Sequence, residues 1–219
     1  MKNVIILEKA GIKSDISIIL LHGLGACGND FKEIADYLQS NCSQNIRFIL
    51  PNADEIPVTI NNGIKMPAWY DIIGNELTHR QDEIEINKSY LKIKELIDKE
   101  KNLNRTNKIF LGGFSQGGAM ALYVGLRLNY NLSGIICLSG YLLLSDKFEQ
   151  EKSSEGYATP IFMGHGVEDD IVKYEWGIKT KQILEEYNYK LTWKEYTDLA
   201  HSINSQEIIH LSEFINQKS

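Results

Sequence analysis

Gly113-Phe114-Ser115-Gln116-Gly117 sets one serine between two glycines at the spacing G-x-S-x-G. A serine hydroxyl is a weak nucleophile until a sharp strand-to-helix turn exposes it and a neighbouring base takes its proton. The flanks have the needed character: Lys108-Ile109-Phe110-Leu111 reads as a strand running in, and Ala119-Met120-Ala121-Leu122-Tyr123 as a helix running out. The rival reading is a glycine-rich turn whose serine only caps the following helix. In such an elbow the base comes late in the chain, after an acid. Five histidines are present, His22, His79, His165, His201 and His210, and only the last two follow a late acid. His210 lies inside a helical pattern beside Leu211, as a packing or surface residue would. His201 lies between the last predicted strand and the terminal helix, and is the predicted base. The acid is expected just after the strand predicted at 161–165, where Glu168, Asp169 and Asp170 stand side by side. Spacing does not choose among them; one should accept from the His201 ring N–H and fix its tautomer.

Acyl transfer also needs donors for a developing oxyanion. The Gln116 amide follows the nucleophile directly, and Leu21-His22-Gly23-Leu24-Gly25, after an apolar strand, offers the Leu24 amide as the natural second donor. His22 precedes the elbow and is read as shaping this loop. Gly23, Gly25 and Gly28 also form a G-x-G-x-x-G, the dinucleotide fingerprint. That motif wants an acid at the end of the next strand to hold a ribose, and the strand at 47–50 ends in Pro51-Asn52-Ala53 instead, with Asp54 too late. A nucleotide site is not expected.

These residues need a scaffold, and the chain supplies one. Strands are predicted at 4–7, 16–21, 47–50, 108–112, 134–139, 161–165 and 191–196, with amphipathic stretches between them. Ile86, Tyr90, Ile93 and Ile97 share one helical face; Trp176, Ile183 and Tyr187 share another, and Ile208, Leu211 and Ile215 a third. Alternation with near-continuously apolar central strands predicts an α/β fold, a mostly parallel sheet with helices on both faces. With 219 residues, no linker and no repeat, one domain is expected. The long irregular stretch from Pro51 to about Gln81 is too apolar for disorder and is expected to cover something.

Composition narrows the function further. At 43% hydrophobic and 24% charged the chain is globular, and 29 acids against 23 bases give a net charge of −6 without a basic cluster. Nucleic acid is therefore not an expected partner. Cys27, Cys42 and Cys137 cannot all pair and show no metal spacing, which fits a reducing compartment. No export signal or membrane-length apolar run is visible, so a cytoplasmic protein is expected.

Taken together, the segments Leu21-His22-Gly23-Leu24-Gly25, Pro51-Asn52-Ala53, Pro57-Val58-Thr59, Trp69-Tyr70-Asp71, Gly112 to Ala119, Gly164-His165-Gly166 and His201-Ser202 resemble the acyl-protein thioesterase/carboxylesterase family. The resemblance runs in order across nearly the whole chain. It implies an α/β-hydrolase fold with Ser115 as nucleophile, His201 as base and Asp169 as acid, Asp169 matching the family's H-G-x-x-D. It also implies the Leu24 and Gln116 amides as the oxyanion hole, with no metal or cofactor. Asp170 stands where a proline is common in relatives, and Cys27, beside the oxyanion segment, is read as an inert small residue.

The implied reaction is hydrolysis of acyl esters or thioesters through an acyl-enzyme. Lysophospholipase or lipase activity, or acyl-ligand binding without turnover, are the alternatives. Residues 54–75 are expected to form a flap over an acyl groove lined by Val58, Ile60, Ile64, Met66, Trp69 and Tyr70, and to touch bilayers transiently when the substrate is lipid-linked. No heptad or pairing surface is visible; a homodimer is one of the states the sequence allows.

Overall fold

A computed structural model describes residues 4–74, 76, 80–103 and 108–218. Seven strands form the main sheet: Val4–Leu7 (β1), Ile16–Leu21 (β2), Ile46–Pro51 (β3), Ile109–Phe114 (β6), Gly134–Leu138 (β7), Ile161–Gly166 (β8) and Leu191–Tyr196 (β9). Their order is β1-β3-β2-β6-β7-β8-β9. β1 runs antiparallel to β3, and every other pairing is parallel. The inner strands β2, β3, β7 and β8 are buried along their whole length, which is why they read as unbroken apolar runs.

Period-two alternation sends neighbouring residues to opposite faces. Ile19, Leu111, Ile135 and Met163 meet one layer of helices, Glu83–Asn102 (α2), Gln116–Gly125 (α3) and Tyr174–Glu186 (α5). Ile18, Phe110, Ile136 and Phe162 meet the other layer, Lys32–Asn41 (α1) and Ser205–Lys218 (α6). The predicted faces pack as expected: Ile86, Ile93 and Ile97 of α2, Trp176 of α5, and Leu211 and Ile215 of α6 are all buried. A short helix, Phe148–Glu151 (α4), lies between β7 and β8.

The chain winds one way from β2 to β3 and the other way from β6 through β9. The direction therefore reverses between β2 and β6, and a crevice opens there at the carboxyl ends of the strands, where doubly wound sheets bind ligands.

The stretch from Pro51 to Gln81 is not wholly irregular. Glu55–Val58 (β4) and Ile64–Pro67 (β5) pair antiparallel as a hairpin. Between them, Thr59–Asn61 makes a 3-10 turn, and Asn62 and Gly63 take left-handed backbone at φ 57° and 74°. Four-residue strands interrupted by Pro57 and Pro67 carry no readable alternation, which hid the hairpin in the sequence. Among the described residues, no helix is long and apolar enough to cross a membrane. His79 lies outside the described residues.

Candidate active site

Ser115 follows β6 directly and precedes α3, with φ 56° and ψ −120°, a backbone conformation that non-glycine residues rarely hold. The two motif glycines make the turn possible. A Cβ at Gly117 would lie 1.9 Å from the Leu21 carbonyl oxygen, and one at Gly113 would lie 2.4 Å from the Gly117 carbonyl carbon. Only glycine lets β6, α3 and the end of β2 come this close. The Ser115 amide donates to the Leu138 carbonyl at 2.8 Å, pinning the turn to β7.

His201 Nε2 lies 2.9 Å from Ser115 Oγ, and its Nδ1 lies 2.7 Å from Asp169 Oδ2. The Phe114 ring packs on the imidazole at 4.7 Å between centroids. Asp169 Oδ1 accepts from the amides of Ile171 (3.0 Å) and Val172 (2.9 Å), so one carboxylate oxygen fixes the loop while the other faces His201. The segments carrying the two residues are tied together, since the amides of Val167 and Glu168 donate to the carbonyls of Tyr196 and Leu199. Of the three adjacent acids, Asp169 is buried while Glu168 and Asp170 are exposed. His210 is elsewhere, 3.1 Å from the Tyr196 hydroxyl.

Gly23 abuts the serine; a Cβ there would sit 3.5 Å from that of Ser115. Leu24 and Gln116 both line the adjoining cavity, and neither amide donates to an acceptor among the described residues. For Gln116 this follows from its place in the first turn of α3, where amides have no intrahelical partner. His22 shapes the loop: Nδ1 donates to the Gly23 carbonyl at 2.7 Å and Nε2 accepts from the Ala53 amide at 3.0 Å. That pattern requires the neutral ring, and burial pushes its pKa below the ordinary value. Gly28 is pressed onto β3, its amide 2.7 Å from Asn52 Oδ1, and a Cβ there would be 2.6 Å from the Leu50 carbonyl oxygen. The dinucleotide-like spacing thus serves packing.

The cavity has a volume of about 880 Å³. Of the predicted groove residues it brings Ile60 and Tyr70 to the wall. Val58, Met66 and Trp69 are not among the lining residues, and Ile64 is exposed on the hairpin. Val58 is fully buried, Met66 Sδ accepts from Asn61 Nδ2, and Trp69 donates from its indole to the His22 carbonyl at 2.8 Å. The Gln116 side chain holds this segment by accepting from the Trp69 amide and donating to the Tyr70 carbonyl, both at 2.8 Å.

The rest of the apolar wall, which sequence reasoning missed, comes from Phe31, Ile34, Ile72, Tyr141, Ile171, Val172, Trp176 and Ile203. Several of these follow β7, β8 or β9, so the rule that ligands bind beyond strand carboxyl ends would have pointed to them. The Tyr70 and Tyr141 hydroxyls meet at 2.9 Å, a small polar feature in this surface.

A sequence model of the phospholipase/carboxylesterase family matches residues 3–219. Acyl-protein thioesterase 1 of Neurospora crassa is 36% identical over 222 residues, covering 97% of this chain and 91% of the relative. The protein of that name from Saccharomyces cerevisiae is 36% identical over 213 residues, 92% of both chains. Among solved structures, Arabidopsis thaliana SOBER1 superposes with a TM-score of 0.86 at 29% identity, over 93% of this chain and 99% of that one. Zea mays acyl-protein thioesterase 2 shares the fold, with a TM-score of 0.83 at 24% identity over 99% and 98% of the two chains.

Proposed function

The chain belongs to the phospholipase/carboxylesterase family of serine hydrolases, and from that premise we propose that it cleaves esters or thioesters of acyl chains through a Ser115–His201–Asp169 triad. The observation that carries the reading is the unbroken hydrogen-bonded line from Ser115 Oγ through His201 to Asp169 Oδ2, at 2.9 and 2.7 Å, opening into an apolar cavity.

The chemistry is two-step acyl transfer. Ser115 Oγ attacks the acyl carbonyl as His201 Nε2 takes its proton, and Asp169 stabilises the imidazolium from the Nδ1 side. The Leu24 and Gln116 amides receive the oxyanion, a donor of this kind contributing about 3–4 kcal/mol to the transition state. Collapse expels the alcohol or thiol, which leaves with the proton from His201. Water, activated by the same imidazole, then releases the carboxylic acid and restores Ser115.

A cavity of about 880 Å³ walled by Ile34, Ile60, Ile72, Tyr141 and Trp176 suits an alkyl chain better than a sugar or a charged peptide. The acyl-protein thioesterase names of the relatives support lipid-linked acyl groups as the substrate class. In this reading the chain is one hydrolase domain whose 54–75 segment acts as the flap, with Ile60 and Tyr70 meeting substrate and Trp69 holding the flap's foot.

Hydrolysis of p-nitrophenyl esters from acetate to laurate, with Ser115→Ala beside the wild type, tests it. The expected result is turnover with a chain-length optimum, reduced at least about 10³-fold in Ser115→Ala. Wild-type turnover that survives this substitution overturns the proposed nucleophile.

A further inference from the structure

Helix α6 starts just after His201, and its third residue is Glu207. The Glu207 amide donates to Asn204 Oδ1 at 2.8 Å, as the third residue of a capped helix does. A glutamate at this position ordinarily turns back in solvent to the cap residue's own amide. Here it turns inward instead. Glu207 is 0% exposed, and neither carboxyl oxygen has a hydrogen-bond partner among the described residues. Its head lies on the backbone of β8, where a Cβ at Gly164 would come within 2.0 Å of Glu207 Oε1.

Two groups on other elements feel a charge at this site: the buried Cys137 thiol of β7 and the Tyr196 phenol of β9, which lies 3.1 Å from His210 Nδ1 of α6. Both are neutral near pH 7, and no cation faces the carboxyl among the described residues. The hydroxyl of Ser139, whose amide donates to the Gly164 carbonyl, is likewise buried without a partner among the described residues. Glu207 thus fills a closely packed niche between the strand that leads to Asp169 and the helix that follows His201.

We propose that Glu207 is a positioning residue that works only as the neutral acid. It seats the first turn of α6 on β8 and so keeps His201 in line between Asp169 and Ser115, and its ionisation breaks that seat and sets an alkaline limit on turnover. The inference rests on the triad reading above. Burial with no compensating charge pushes the carboxyl up to about 8, which puts the limit in a mildly alkaline range.

The test is the pH dependence of kcat/KM for p-nitrophenyl butyrate from pH 6 to 9.5, for wild type and Glu207→Gln, a neutral group of nearly the same shape. The expected wild-type rate falls about fivefold between pH 8 and 9, as the protonated fraction does. Glu207→Gln is expected to stay within about threefold of wild type at pH 7 and to hold its rate through pH 9. An alkaline fall that persists unchanged in Glu207→Gln, or a wild type without one, overturns the proposal while leaving the esterase reading intact. No wild-type turnover on any ester would instead count against that reading. Carbon-13 NMR of the Glu207 carboxyl in the wild type needs neither activity nor a folded variant: titration near pH 8 supports the proposal, and a carboxylate already ionised at pH 6.5 overturns it.

Discussion

Glu207 also makes a thermodynamic prediction that is independent of catalysis. Its carboxyl ionises near 8 in the folded chain against an ordinary 4.5. Between those values the folded state holds one proton more than the unfolded state, so stability falls as pH rises, by about 1.4 kcal/mol per unit. This contribution is fully present below pH 4.5, is lost progressively above it, and is gone once pH passes through about 8. The whole loss is on the order of 4–5 kcal/mol, a large part of the stability of an ordinary domain. Local opening that lets water reach the carboxylate caps the loss at the alkaline end, which makes the slope between pH 5 and 7 the sharper quantity. Glu207→Gln removes the titration and leaves a pH-independent offset of roughly 1–3 kcal/mol for a buried amide. Urea unfolding of both proteins, followed by tryptophan fluorescence at pH 5, 6, 7 and 8, gives the difference with all other titrations cancelled. The variant should gain on the wild type by about 1.4 kcal/mol per pH unit over this range. A difference that is flat with pH would refute the buried neutral acid.

Other substitutions test other parts of the account. Gly117→Ala drives a methyl into the Leu21 carbonyl oxygen; the chain should lose its soluble fold or about two orders of magnitude of activity, and normal kinetics would contradict the packing argument. Arg47 of β3 is buried, with Glu100 of α2 at 3.1 Å and Glu8 at 2.6 Å. Arg47→Met strands the buried Glu100 and should cost about 3–5 kcal/mol in urea unfolding, with little change in KM. His22 and His165 are both held neutral by burial, below the ordinary 6.5. At these two positions the unfolded chain therefore binds more protons as pH drops through 6.5, an effect opposite in sign to that of Glu207; the stability of wild type relative to His22→Asn, from urea unfolding, should fall between pH 7 and 5.

How much could be read from the sequence varied with the kind of constraint involved. The sheet was readable because strands buried on both faces must be apolar throughout, and the elbow because only glycine tolerates the contacts at positions 113 and 117. Asp169 was not separable from its neighbours by spacing, since the difference is one of burial: the turn after β8 points that carboxylate inward and leaves Glu168 and Asp170 in solvent. The cavity wall was hardest to foresee. Apolar residues in the 54–75 segment serve two purposes that look alike in sequence, and Val58 and Trp69 fasten the segment while Ile60 and Tyr70 face the cavity. Glu207 left no signal, because a glutamate in the first turn of a helix looks like an ordinary solvated cap until the fold buries it.

The central claim is that Ser115 is an activated nucleophile, and covalent capture tests it most directly. Intact-mass and peptide analysis after treatment with a fluorophosphonate probe should show one adduct, on Ser115, absent in Ser115→Ala and formed far more slowly in His201→Gln. Labelling at a different residue, or no labelling of a chain that still turns over esters, would contradict the account.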